Sequence, residues 1–535
     1  MRNDFVVGID LGTSTSEVAV YQDGKIKSLE HPNFNTPVVE SAIAYYNGEI
    51  YIGESAINIA DEKMGKFVTE FKRDMGINKA YFEIDGIQLT PIYASALLLK
   101  YLQWIAEKNG YAFDEAVISV PANFPQAARY ATLIAAQLAG IRVIRLINEP
   151  TAAILSYSYN QNFVNAIFGK IQPVLVFDFG GGTLDITILE TQAFEGSVIY
   201  DAIASYGNTK LGGKDIDEEI ARYIIQNIPL EYEKVKRFES IIKRRAKLIK
   251  ETVSESEFTL FLPVGLDHII REEFDLDKVV DIIKNGEKNI FDEVLNTLNK
   301  AIHIASEKHR NIDKDNLEVL LVGGSVKFKP IKELLERFFN RRLEILDDPQ
   351  LAVSKGAAIA AALEKEMITG DIILVDVSPF GIGVEIVKDP SNVEQLFYSP
   401  LIQPNERIPY EITRQYTLLH PNQSRLDVGI YQAREVIHEE TPLSQLEDIE
   451  RTPMRIKISN IPPSPNNLPN MVLLKFKYTS SGIIEMKVTI KTNDTGKILK
   501  ENDFIFTPID MQYSEEDIRK MKEEVEYLWK LVRKS

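Results

Sequence analysis

The 535-residue chain has no cysteine, which excludes disulfides, thiolate-held zinc and cysteine nucleophiles. Its six histidines are scattered and form no HExxH pair, so a histidine-built metal site is not expected. Nowhere does an apolar run approach the roughly 18 residues that a membrane-spanning helix needs. The opening segment MRNDFVVGIDLGTS turns polar and glycine-containing too early for a secretory leader. Positive charge is in deficit: 61 Lys and Arg face 78 Asp and Glu, a net charge of −17. Nucleic acid and anionic membranes are held by clustered cations, so neither is an expected partner. What remains is a soluble, multidomain protein of a reducing compartment, expected in the cytoplasm. At about 150 residues per domain, the length corresponds to roughly three to four folding units.

A Walker-type GxxxxGK[ST] loop is also missing, so any nucleotide must be held another way. In its place stand two similar segments, Phe5–Val20 (FVVGIDLGTSTSEVAV) and Val174–Leu189 (VLVFDFGGGTLDITIL). Each is an apolar strand ending in aspartate, a glycine and hydroxyl turn, and a second β-rich strand. The repetition predicts a duplicated architecture with two lobes facing across a cleft. Glycine turns let backbone N–H groups point at an anion, and a strand-end aspartate can hold a hydrated Mg²⁺. Opposed across a cleft, the two turns could clamp a di- or triphosphate.

Around these segments, strands alternate with helices. Helices are expected at Ala94–Glu107, Gln126–Ala139 (stopped by Gly140), Asp215–Gln226, Lys234–Val253, Asn289–Lys308, Pro330–Phe339 and Ala352–Leu363. Strands are expected at Ala116–Pro121, Ile141–Leu146 and Leu317–Val322, and the alternation argues for an α/β region. Past Gly370 the chain turns to short alternating runs, such as Gly383–Val387, Arg425–Gln432, Met454–Ile458, Met471–Tyr478 and Gly482–Lys491. Such runs read as an antiparallel β domain, and the proline-rich stretch Thr452–Asn470 as partly loop. The chain ends in a helix with Ser514 and Asp517 as a capping box. Ile518, Met521, Val525, Leu528 and Val532 give that helix a sticky face, which needs the β domain or a partner to cover it.

The set IDLGTSTS (9–16), FKR (71–73), VPANFP (120–125), INEPTAA (147–153), FDFGGGTLD (177–185), LGGKDID (211–217) and LVGGS (321–325) resembles the 70-kilodalton heat-shock chaperones of the DnaK type. The resemblance runs in order from Ile9 to the final helix. It implies an α/β fold: a two-lobed ATPase domain of the actin and hexokinase type over residues 1–366, and a linker over 367–376. A β-sandwich substrate domain over 377–511 and a truncated lid helix over 512–535 would follow. The implied cofactors are ATP or ADP, Mg²⁺ and K⁺. By resemblance, Gly12, Thr13 and Ser14 hold phosphate from one lobe, and Gly180, Gly181, Gly182 and Thr183 from the other. Asp10, Glu149 and Asp178 surround the hydrated Mg²⁺, and Asp10 and Asp185 are the K⁺ contacts. Lys72 orients the attacking water, with Thr183 beside the γ-phosphate. Read without the resemblance, Lys72 is a solvated surface lysine beside Arg73, and Glu149 merely precedes a proline that opens a helix.

For adenosine the resemblance points to Lys250, Ser254, Gly323, Gly324, Ser325 and Lys327. Two of the family's residues are replaced: Lys247 stands where the family has a ribose-contacting Glu, and Lys327 where it has Arg. Lysine does not stack on a purine as a guanidinium does. Without the resemblance, Lys250 reads as part of a solvated helix face. For coupling between domains the resemblance points to Pro121, Arg129, Arg145, Asn148, Ile372, Leu374 and Asp376. The run GDIILVD (370–376) reads as a strand that docks on the first domain in one state and is released in another. Ile382, Val384, Leu426, Val428 and Ile430 would line a pocket for an extended apolar peptide, or else serve as plain sandwich core. The implied partners are unfolded segments of other proteins, a J-domain co-chaperone and a nucleotide exchange factor. The chain departs from the family pattern in a shortened segment between Lys72 and Glu149, in most of the helical lid and in the acidic tail motif. A chaperone that hydrolyses ATP is the first reading, and a nucleotide-binding, exchange-factor-like homologue with little turnover is the second.

Overall fold

The structure is a computed structural model describing residues 4–534 except 64, 160–167, 195–196, 228–238, 264–268, 310–311, 346–347, 369–370, 448, 450–453 and 506–510. The expected helix start at 234–238, the first linker residues at 369–370 and the start of the proline-rich stretch at 452–453 therefore lie outside the described residues. Both glycine-turn segments fold as expected. In the first lobe, Phe5–Leu11 and Thr15–Gln22 form a hairpin, with Glu115–Val120 and Arg142–Asn148 added in parallel on its other side. In the second lobe, Ile171–Phe179 pairs with Leu184–Phe194 and, in parallel, with Glu318–Val322.

Two small-residue helices, Glu149–Ser158 and Ala352–Glu364, pack between the sheets, where Ala152, Ala153, Ala357, Ala358 and Ala361 join one core with Val117, Val176 and Leu320. The approach is close enough to demand glycine. A Cβ on Gly356 would lie 1.7 Å from the Ala152 carbonyl oxygen, and one on Gly8 would lie 2.0 Å from the Ala358 nitrogen. Gln126–Ala139 stops at Gly140, whose φ of +84° is the left-handed cap the sequence calls for. The helix expected at Ala94–Glu107 begins earlier, at Pro91, because Thr90 caps it by accepting from the Tyr93 N–H.

Beyond the lobes the chain forms two antiparallel sheets. One contains Gly381–Val387, Leu396–Ile402, Leu426–Ala433 and Met454–Ile458; the other contains Tyr410–Thr417, Met471–Tyr478, Ile484–Lys491 and Ile498–Ile505. Their facing side chains make one core, including Ile382, Ile430, Ile456, Phe476 and Val488. The run after Gly370 is the strand Asp371–Ser378. It extends the second lobe's sheet by pairing in parallel with Ser197–Asn208, and Glu406–Ile408 pairs on its outer side.

The terminal helix Glu515–Lys530 starts at the expected capping box, with the Asp517 N–H donating to Ser514 Oγ at 3.1 Å and the Ser514 N–H to Asp517 Oδ2 at 2.8 Å. Its apolar face is covered mainly by the first lobe, where the expectation named the β domain or a partner. Val525, Leu528 and Val532 sink into the first lobe's core beside Leu97, Tyr101 and Ala131, and Met511 and Ile483 complete the same cluster. The sequence marks the face as apolar, but which surface it meets depends on tertiary juxtaposition. Among the described residues no helix is long and apolar enough to cross a membrane.

Candidate functional site

The two glycine turns face each other across the interlobe cleft. A Cβ on Gly181 would lie 1.8 Å from Ser14 Oγ, and one on Gly182 would lie 2.5 Å from Thr13 Cγ2. One cavity is lined by Asp10, Gly12, Thr13, Ser14, Glu17, Lys72, Glu149, Asp178, Gly180, Gly181, Thr183, Gly323 and Gly324. The phosphate and Mg²⁺ candidates thus converge. Lys72 is buried rather than solvated, 4% exposed, and its Nζ donates to Glu149 Oε1 at 2.5 Å. Burial alone would lower Lys72, but Glu149, Asp10 and Asp178 reverse this and hold its pKa above the usual lysine value. Burial pushes Glu149 up to about 7 against the pull of Lys72, and burial with the nearby Glu149, Asp185 and Asp10 raises Asp178. Asp10 Oδ1 accepts from Ser119 Oγ at 2.5 Å. Asp185, also raised by burial, accepts from the Asn123 N–H at 3.2 Å and Nδ2 at 2.8 Å.

The adenosine candidates are committed to protein partners. Lys247 Nζ lies 2.7 Å from Glu40 Oε1, joining the second lobe to the first. Lys250 is buried, not solvated, with Nζ 2.7 Å from Asp217 Oδ1 and donating to the Gly213 carbonyl at 3.0 Å. Ser254 Oγ accepts from the Lys329 N–H at 3.1 Å, Ser325 Oγ donates to the Gly180 carbonyl at 2.8 Å, and Lys327 Nζ donates to Gln350 Oε1 at 2.9 Å. Gly323 sits at φ +87° with its Cα against Phe179 and Asp178, where a Cβ would come within 2.5 Å of the Phe179 carbonyl oxygen.

The coupling candidates gather where the β domain meets the first lobe. Arg129 Nη2 donates to Asn148 Oδ1 at 2.7 Å and to the carbonyls of Ala122 at 3.0 Å and Pro121 at 3.5 Å, and Nη1 reaches the Ser481 carbonyl at 3.4 Å. Asp376 Oδ2 accepts from Thr151 Oγ1 at 2.9 Å. Ile372 and Leu374 pair with Val198 and Tyr200 and pack on the interlobe core. Arg145 stands apart, 3.2 Å from Glu364. Of the peptide-pocket candidates, Ile382, Val384 and Ile430 are buried in the sandwich core, and Leu426 and Val428 are partly buried against it.

Sequence reasoning missed several residues. Arg73 of the first lobe grips the second lobe's turn, donating to the Gly182 carbonyl from Nη2 at 2.7 Å and to Asp215 at 2.9 Å. Gln126 bolts the β domain on: Nε2 donates to Tyr478 OH at 2.9 Å and the Gly482 carbonyl at 2.5 Å, and Oε1 accepts from the Ile484 N–H at 3.3 Å. Glu17 lines the cleft opposite Asp10. Its signal was legible, since Asp10 and Glu17 have the same spacing as Asp178 and Asp185 and the same pairing across their hairpins.

Mirrored hairpins enclosing a carboxylate-lined cleft, with a β-sandwich appended, define a two-lobed protein of the actin and hexokinase type that carries a second domain. The family model described as Hsp70 protein matches residues 6–530. The chain belongs to the Hsp70 family. Chaperone protein DnaK of Metamycoplasma hominis is 31% identical over 504 residues, covering 93% of this chain and 79% of that protein. The DnaK of Thermotoga neapolitana is 30% identical over 540 residues, with 98% and 83% covered, and that of Mycoplasma mobile 29% over 534 residues, with 98% and 82% covered.

Proposed function

We propose that the chain is an ATP-hydrolysing chaperone in which nucleotide state in the cleft sets the docking of the linker strand and the peptide affinity of the β domain. The observation that carries this reading is the convergence of both glycine turns, the carboxylates Asp10, Glu149 and Asp178 and one buried lysine on a single cavity. Gly12, Thr13 and Ser14 with Gly180, Gly181, Gly182 and Thr183 hold the phosphates through backbone N–H and hydroxyl donors. Carboxylates in excess of Lys72 at this cavity suit a hard cation, so Asp10, Glu149 and Asp178 would hold Mg²⁺ through water. When bound, the ion neutralises charge on the phosphate oxygens. Lys72 offsets γ-phosphate charge and orients the attacking water, and Glu149, Asp10 and Asp178 together keep the ammonium group protonated in a buried site. Asp185 is the remaining K⁺ contact. Lys250 and Lys327 reach adenosine only by leaving Asp217 and Gln350, so nucleotide affinity should be modest.

The β domain takes extended apolar segments of unfolded proteins by strand addition and side-chain pockets. Strand Asp371–Ser378 is the element that carries the signal, and a J-domain protein and an exchange factor are the partners that fit it. Single-turnover ATP hydrolysis tests the reading. Lys72→Ala should slow the chemical step about 10²–10³-fold, the scale of losing one preorganised charge-stabilising donor, while still binding nucleotide. Equal turnover in both proteins would contradict it. Undetectable turnover in the wild type with nucleotide still bound would favour the exchange-factor-like role.

A further inference from the structure

The cleft holds one carboxylate that the proposed machinery does not use. Glu17 is 1% exposed on the strand Thr15–Gln22 and lines the cavity. It pairs with Asp10 across the first hairpin as Asp185 pairs with Asp178 across the second. The two halves differ in how the inner acid is satisfied. Asp185 accepts two hydrogen bonds from Asn123. Glu17 instead faces Asp10 across the hairpin and accepts a hydrogen bond from Thr15, and its Oε2 has no hydrogen-bond partner among the described residues. Lys72 lines the same cavity but is committed to Glu149.

A buried, unmatched carboxylate oxygen is costly. Two carboxyls in contact need a proton or a cation between them. The cavity wall supplies carboxylates and the Thr13 and Thr15 hydroxyls, all hard oxygen donors. With no thiolate or imidazole in the lining, this donor set does not make a closed zinc-type shell. It suits Mg²⁺ and its analogues, which take one or two carboxylates and keep several waters.

We propose that Asp10 and Glu17 form a divalent-cation site on the first lobe, binding an ion of the Mg²⁺ class without nucleotide. The second hairpin differs because Asn123 already donates twice to Asp185 Oδ1. The cation would thus be loaded on one lobe before the triphosphate arrives. The claim rests on the acid pair and not on the nucleotide reading, so either can fail alone.

Full-length, nucleotide-free protein is titrated with Mn²⁺, and free Mn²⁺ is read from its electron paramagnetic resonance signal. Wild type should take up one Mn²⁺ per chain, displaced by excess Mg²⁺. Glu17→Gln, nearly isosteric, should weaken uptake at least tenfold, and Asp10→Asn should do the same. In parallel, Mg²⁺ should raise the melting midpoint of the wild type but not of Glu17→Gln. That comparison also reports whether the variant is folded. Uptake by both variants at wild-type affinity, or no stoichiometric uptake by wild type, would overturn the site. MgATP calorimetry on the same samples separates the two claims: Mn²⁺ uptake without ATP binding would leave the site standing and remove the nucleotide reading.

Discussion

Lys72 and Glu149 show what burial does to a single pair of residues. Removing one partner of a buried ion pair usually costs about 3–5 kcal/mol because the other charge is stranded. Here the stranded group has an escape, since Glu149 already holds its proton up to about pH 7. The unfolded chain releases that proton near 4.5, so between about 4.5 and 7 the folded state binds the extra proton. This group's contribution to stability therefore falls as pH rises through that window. Lys72→Ala should accordingly destabilise strongly at pH 8 and markedly less at pH 6, as read by melting midpoints at the two pH values. An equal loss at both would contradict the coupling. Lys247 offers a second residue-scale test. Its pairing with Glu40 joins the lobes at the cleft, so Lys247→Ala should speed dissociation of a fluorescent ADP analogue several-fold in stopped flow. An unchanged off-rate would mean the pair is a surface ion pair of little weight.

At the scale of elements, two attachments hold the β domain to the first lobe. One is polar and centres on Gln126, whose side chain meets Tyr478, Gly482 and Ile484 and whose backbone N–H donates to Gln432 Oε1 at 3.3 Å. The other is apolar and centres on the terminal helix. Its end continues past the helix to meet the first lobe's edge, with the Ile50 N–H donating to the Leu531 carbonyl at 2.9 Å and the Arg533 N–H to the Ile50 carbonyl at 2.8 Å. Gln126→Ala should leave Tyr478 OH and the Ile484 N–H without their partner. Amide exchange in the strand Asp371–Ser378 should then rise at least tenfold, and unchanged protection would contradict the role given to Gln126. The chain's two tryptophans, Trp104 and Trp529, line one pocket at the helix contact, so intrinsic fluorescence reports on docking. Leu528 is fully buried there, and Leu528→Ala should cost about 2–5 kcal/mol and shift tryptophan emission at lower denaturant than in wild type. A coincident transition would contradict the docked position.

Across the whole molecule, what was legible in the sequence is what local chemistry determines. The duplicated strand–turn–strand units were readable because β-branched runs around glycine admit few other conformations. The linker strand was readable because Ile372–Val375 is an apolar run between acids. The fates of Lys247 and Lys250 were not readable, since Glu40 and Asp217 reach them only once the lobes are assembled. Gln126 reads as an ordinary helix-start residue, and its buried contacts all lie more than three hundred positions away. The apolar stripe of the terminal helix was plain, but its address on the first lobe was not. With that helix packed on the first lobe rather than over the β domain, bound peptide is expected to escape freely. Peptide off-rates should exceed those of a full-length lidded relative by at least tenfold in either nucleotide state, and comparable rates would contradict this.

The central claim is that the facing turns at Gly12–Ser14 and Gly180–Thr183 hold a magnesium-bearing triphosphate between the lobes. Isothermal calorimetry of ATP into the full chain with millimolar Mg²⁺ tests it most directly. The account predicts saturable heat for one site per chain that is lost when the metal is chelated, and an absence of heat at millimolar ATP would contradict it.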